Sequence, residues 1–306
     1  MKNRLYIFFL FFQLCSVNFA LAQNNSVYTQ YLFNGLVINP AYAGSHNALS
    51  ASSIVRKQWL GVEGSPFAST FSVHSPVNKH KASFGGLFYQ SKTSIYSELT
   101  LQGIYSYRVD LSEEKKLSLG LGLGFTNYSI RYSNLTHQDP NDPAIPGDNQ
   151  NLFQPTVSAG AYYYTNTFFA GLSAQNLTGF LYGLGSPDDM RSYRHLFATT
   201  GKVFTVSPKL KLKPGLLLHY YNRSPLLVDL NFHALLDEVV WLGVSYRYQV
   251  SVNYSIRFNL NRQLSFGYSY DQSIGNQSIT KNGAHEIVLS YLFKYYKKNI
   301  VNPRFF

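Results

Sequence analysis

From about residue 48 to about residue 296, hydrophobic and polar positions alternate in blocks of roughly ten residues, the length of a tilted membrane-crossing strand. Leu117, Leu119, Leu121, Leu123 and Phe125 alternate with Ser118, Gly120, Gly122, Gly124 and Thr126. Val252, Tyr254, Ile256 and Phe258 alternate with Asn253, Ser255, Arg257 and Asn259, and Leu264, Phe266, Tyr268 and Tyr270 with Ser265, Gly267, Ser269 and Asp271. In a strand these sets point to opposite faces. One face is aliphatic and aromatic, the other small or polar, which is the lipid-out, lumen-in pattern of a transmembrane barrel. A soluble β-sandwich also alternates, but its outward faces should carry charge, and here they do not.

The blocks predict strands near 48–59, 67–76, 82–91, 97–110, 115–130, 154–165, 167–177, 194–206, 209–222, 225–236, 238–248, 250–259, 262–273 and 284–296. The fold class is therefore all-β, an antiparallel transmembrane barrel of about fourteen strands, an even number that returns both ends to one side. The long connections, 131–153, 178–193 and 274–283, all follow odd-numbered strands, and those after even-numbered strands are short. Barrels of this kind keep short turns in the periplasm and long loops outside, so both termini are expected in the periplasm. Paired aromatics such as Tyr105/Tyr107, Tyr162 to Tyr164, Tyr220/Tyr221 and Tyr295/Tyr296 are expected to form the interfacial girdles.

The N-terminus breaks the pattern twice. Lys2 and Arg4 precede an apolar run from Leu5 to Leu14, and Ala20-Leu21-Ala22 precedes Gln23 as a small-x-small cleavage site. Residues 1–22 read as a signal peptide, too short in its apolar run to span a bilayer. Leu14 before Cys15 is not the small residue a lipoprotein signal needs. Cleavage after Ala22 removes Cys15, the single cysteine, and with it thiolate chemistry and disulfides. Residues 23–47 then show no clean alternation and crowd Tyr28, Tyr31, Leu32, Phe33 and Tyr42 with almost no charge. Such a segment either packs as a plug or strap in the barrel base or lumen, or presents a docking surface for another protein. Asn39-Pro40 favours a turn, and Gly44 a flexible exit into the first strand. The domains expected are thus the signal peptide, this segment at 23–47, the barrel at 48–296 and a periplasmic tail at 297–306.

Composition agrees with this reading. Only 13% of residues are charged and 16% are aromatic, while the formal charge of +11 falls by two when Lys2 and Arg4 leave. A secreted chain with this basic balance is not expected to meet nucleic acid. Lys209, Lys211 and Lys213, with Lys294, Lys297 and Lys298, could face an acidic partner or lipid phosphates. Arg108, Arg247 and Arg257 fall on the polar phase and are candidates for the lumen. His219, His233 and Asp229 lie on adjacent predicted strands, but no nucleophile motif or HExxH-type spacing accompanies them, so no enzyme, metal or cofactor is expected. Asp139, Asn141, Asp142, Asp148 and Asn149 could offer oxygen ligands to calcium, although interleaved prolines make a turn-rich loop the simpler reading.

The segment QYLFNGLVINPAYAGS at 30–45 resembles the N-terminal hallmark of the PorP/SprF family of type IX secretion outer-membrane proteins of Bacteroidetes, whose pattern is close to QYMFNPLLINPAYAGS. Similar stretches follow as VRKQWLGVEGSP at 55–66, DLNFHALLDEVVWLGVSYR at 229–247, AHEIVLSYLF at 284–293 and NPRFF at 302–306. Gly35 stands where the family usually has proline. The resemblance implies an outer-membrane component supporting secretion or surface attachment of cargo, such as gliding adhesins with C-terminal sorting domains, with links to periplasmic type IX components. It implies no reaction. The residues it singles out are Tyr31, Phe33, Asn34, Asn39, Pro40, Ala41, Tyr42 and Gly44, expected at the periplasmic mouth, with Arg56 and Trp59 on the first strand. Their expected role is structural or partner-binding. The alternative is a general porin for small solutes, whose Ser, Gly and Asn phase would line a pore.

Overall fold

A computed structural model describes residues 28–77, 81–134, 149–180, 194–221, 224–274 and 282–293. Among them the strands run β1 (Leu49–Gln58), β2 (Phe67–Pro76), β3 (Ala82–Thr93), β4 (Tyr96–Asp110), β5 (Lys116–Ile130), β6 (Gln150–Tyr164), β7 (Phe168–Gln175), β8 (His195–Lys202), β9 (Phe204–Ser207), β10 (Leu210–Tyr221), β11 (Leu227–Leu236), β12 (Val240–Arg247), β13 (Ser251–Asn259), β14 (Leu264–Ser273) and β15 (Ala284–Phe293). β9 continues β8 past Val203, so fourteen staves form the wall. Neighbours pair antiparallel in chain order, and β1 closes on β15 from Leu49↔Phe293 to Gln58↔Ala284. The break at Val203 has a local cause. The β8/β9 side of β10 is paired at Gly215↔Gly201 and again at Leu212↔Phe204, and Pro214, which has no N–H to donate, falls between.

The alternation holds in three dimensions. Leu119, Leu121 and Leu123 are exposed, while Ser118 is buried, and Phe232, Val244 and Leu289 face outward beside the buried Asn231, Ser245 and Ser290. The outward apolar face of a barrel meets lipid, where a central arginine costs about 2–4 kcal/mol. Leu123→Arg, at the middle of β5 with 63% exposure, should therefore destabilise the protein by about that amount in urea titrations in bilayers. Two differences from expectation are instructive. β6 begins at Gln150, earlier than the pattern suggested, because Pro155 lies in a stretch of β6 that pairs only with β5, β7 joining from Ala159 onward. Tyr162 and Tyr164 are buried, not girdle residues: they turn inward, Tyr162 packing on Tyr42 and Phe169 and Tyr164 packing on Tyr162. Tyr105, Tyr107 and Tyr220 do face outward. The signal peptide, the tail at 297–306 and the loop at 139–148 lie outside the described residues.

Candidate functional site

The lumen is occupied by the chain's own N-terminal segment. Residues 28–47 form a strap of three short 3₁₀ turns, Thr29–Phe33, Gly35–Val37 and Pro40–Tyr42. A segment with no period cannot pair in the wall, so its backbone groups must find partners elsewhere. They find them on inward-facing side chains. At one end Tyr28 accepts a hydrogen bond from Thr70, close to where β2 leaves the long-loop end of the barrel. At the other, Arg108 donates to Asn47 at 2.6 Å, two residues before β4 ends at the short turns. The strap therefore runs through the lumen from the long-loop half to the short-turn mouth and is not confined to the mouth.

The first turn is held by buried charge. Glu286 accepts from the backbone N–H of Thr29 at 3.0 Å and of Gln30 at 2.8 Å, and Asp271 accepts from the Thr29 hydroxyl at 2.7 Å. Arg56 lies between these carboxylates, 2.6 Å from Asp271 and 3.2 Å from Glu286, and Arg247 pairs with Asp229 at 3.0 Å. All five side chains are buried, so each charge needs its partners. Pairing places them together: Arg56↔Glu286 is a cross-strand pair on the β1–β15 seam, and Asp229↔Arg247 one between β11 and β12.

Beyond it, Tyr31 accepts from Asn231 at 2.6 Å, and Asn34 donates to Ser72 at 2.9 Å. Phe33 sits against Trp241 and His233, with Lys213 Nζ 5.2 Å and the Arg257 guanidinium 4.6 Å from its ring centre. Asn39 accepts from the N–H of Ala41, capping the third turn, and donates to the carbonyls of Ala161 and Leu172. Pro40 and Ala41 press their backbone onto Gly120, and Asn39 lies on Gly160 and Gly171, so these wall glycines are the clearance that admits the strap. Tyr42 bonds His46 at 3.0 Å and packs on Tyr162 and His74. Gly44, at φ +79°, donates its N–H to His74 and turns the chain toward β1. At Gly35 an added Cβ would stand 2.5 Å from the Tyr42 ring, so that ring occupies the space a proline there would fill.

The structure thus gathers Tyr31, Phe33, Asn34, Asn39, Pro40, Ala41, Tyr42 and Gly44 in the lumen, all buried. Arg56 joins the charged end. Trp59 stands apart, half-buried in the β1–β2 turn at φ +48°, its N–H bonded to Gly283. Sequence reasoning missed Glu286, Asp271, Asn231 and Lys213 as strap partners; Lys213 is fully buried, donates to the Leu32 carbonyl and does not face an acidic partner outside. The three residues that might have formed a catalytic set have separate partners: Asp229 with Arg247, His219 with His195 and Phe197, His233 with Phe33 and Ser255. Beside the strap, toward the long loops, a cavity of about 150 Å³ remains between Tyr28, Tyr89, Glu98, Gln102, Phe197 and His219.

The sequence model of one protein family, described as Type IX secretion system membrane protein PorP/SprF, matches residues 20–291. No curated protein matches the chain. Solved structures similar to it include BamA from Haemophilus ducreyi lacking POTRA domains 1–3, with 12% identity over 81% of this chain and 70% of that one and a TM-score of 0.45. A Pseudomonas aeruginosa FadL homologue shares 14% identity over 81% and 89% at a TM-score of 0.42. The TodX deltaS2S3 mutant monoaromatic hydrocarbon channel shares 10% over 85% and 94% at 0.48.

Proposed function

We propose a function from one premise: the chain belongs to the PorP/SprF family of type IX secretion system membrane proteins. It is an outer-membrane component of that system. Its role, on our reading, is to support secretion or surface attachment of cargo carrying C-terminal sorting domains, gliding adhesins among them. It acts as a sealed barrel, with no reaction of its own, that sits in lipid and presents its short turns to periplasmic components of the system. The observation that supports this is the strap, hydrogen-bonded from the Thr70 level to the Arg108 level of the lumen. A conducting porin has no use for an apolar segment bonded along its pore. Because Tyr31 and Tyr42 are 2% and 3% exposed, the hallmark serves here as the seal, and partner contact falls to the rims.

Two measurements test the two halves. Purified protein in planar bilayers should give no steady ohmic openings; such openings would favour the small-solute porin. Photo-crosslinkers at the exposed short-turn positions Glu114 and Asn261 should capture periplasmic type IX components or secreted cargo in cells. Capture of neither would remove docking at this rim.

A further inference from the structure

The lumen's buried charges are unevenly distributed. Asp229, Asp271 and Glu286 are the buried carboxylates among the described residues, and all lie near the long-loop end with Arg56 and Arg247. In the short-turn half the buried Arg257 shares the Phe33 ring with Lys213, whose ammonium donates to the Leu32 carbonyl at 3.3 Å, while the ion pairs of those three carboxylates run to Arg56 and Arg247. Arg257 is nine-tenths buried; its Nη2 donates to Ser265 at 2.6 Å, while its Nη1 has no partner among the described residues. A guanidinium desolvated without a counter-charge is strongly disfavoured, and two cations sharing one ring repel each other.

Arg257 also lines a cavity of about 60 Å³ at the short-turn mouth, more than the roughly 10–15 Å³ that admits one water molecule. Its wall is built from donors: Arg262, His46, Ser50, Ser52 and Asn261. No Asp or Glu lines it among the described residues. Phe33 and Trp241 also line it, and the Arg257 guanidinium carbon stands 4.6 Å from the Phe33 ring centre, a cation–π distance.

We infer that this mouth is a binding site for a single oxyanion, a carboxylate or phosphate group, with Arg257 as the buried ligand and Arg262 as the exposed one. Guanidinium matches the planar or tetrahedral oxygens of such groups, and serine hydroxyls and asparagine amides supply the remaining donors. The cavity has room for one such group, brought either by a small ion or by the terminus or headgroup of a larger molecule. The bound anion completes the charge balance that the carboxylates achieve at the other end.

The test is calorimetric titration of the full-length barrel in a non-ionic detergent with inorganic phosphate and, separately, acetate, at constant ionic strength in chloride. Saturable binding of one anion per chain is expected. Arg262→Ala, an exposed turn substitution, should weaken it about tenfold or more. Arg257→Met should abolish it and, by removing an uncompensated buried charge, should melt no lower than the wild type in the absence of added anion. Tighter phosphate marks a phosphate-bearing source, and tighter acetate a carboxylate. No saturable binding of either anion overturns the site, as does unchanged affinity in Arg262→Ala, which decides the matter alone should Arg257→Met not fold.

Discussion

Glu286→Ala is expected to lower the unfolding free energy by about 3–5 kcal/mol, the cost of breaking a buried ion pair from one side. The carboxylate has three tasks: it accepts the N–H groups of Thr29 and Gln30, faces Arg56 at 3.2 Å, and lies on the β1–β15 seam. Alanine leaves two buried N–H groups without acceptors and Arg56 with Asp271 as its remaining carboxylate. Urea titration followed by tryptophan emission reads the loss directly, since Trp241 is buried against Phe33 and Trp59 lies in the β1–β2 turn at the opposite end. A loss under about 1 kcal/mol would show that the charged cluster does not hold the strap.

Gly120→Val should act on the lumen itself. A Cβ at Gly120 would fall on the backbone of Pro40 and Ala41, which no side-chain rotation can relieve. Either the strap leaves or the wall yields, and the wall is held by hydrogen-bonded pairing on both sides of β5. The expected result is a folded barrel that has gained steady ohmic conductance in planar bilayers. Gly103→Ala, where the added methyl meets nothing nearer than 3.8 Å, should conduct as the wild type does. A silent Gly120→Val barrel of unchanged stability would mean that the strap does not close the pore.

These residues mark where the sequence is readable. Wall positions announce themselves because a strand's period of two sorts Leu119 and Leu121 from Ser118 and Gly120 by inspection. The closing pair β1–β15 followed from the even count and the loop lengths. The strap was visible only as a failure of alternation, and its aromatic content left a plug and a docking surface both open, the plug the favoured of the two. What could not be read was its partnership. That Gly120 is small to admit Pro40, or that Glu286 holds Thr29, depends on which wall residues share a level, and level is set by stagger between strands, which no local pattern encodes. Lys213 shows the same limit: alternation with Lys209 and Lys211 suggested one basic face, yet Lys211 reaches Glu238 and Lys213 enters the lumen.

The bonds from Glu286 to Thr29 and Gln30 join positions 257 and 256 residues apart. Contacts so distant in the chain are the slowest to form, because nearly the whole loop must close before they stabilise anything. As the chain is made from its N-terminus, the strap emerges first and its anchor, on the final strand, last. Arg56, on the first strand, meets the same carboxylate across the seam. Locking of the strap and closing of the cylinder are thus one late event, and until it happens the aromatic hallmark is open to other proteins.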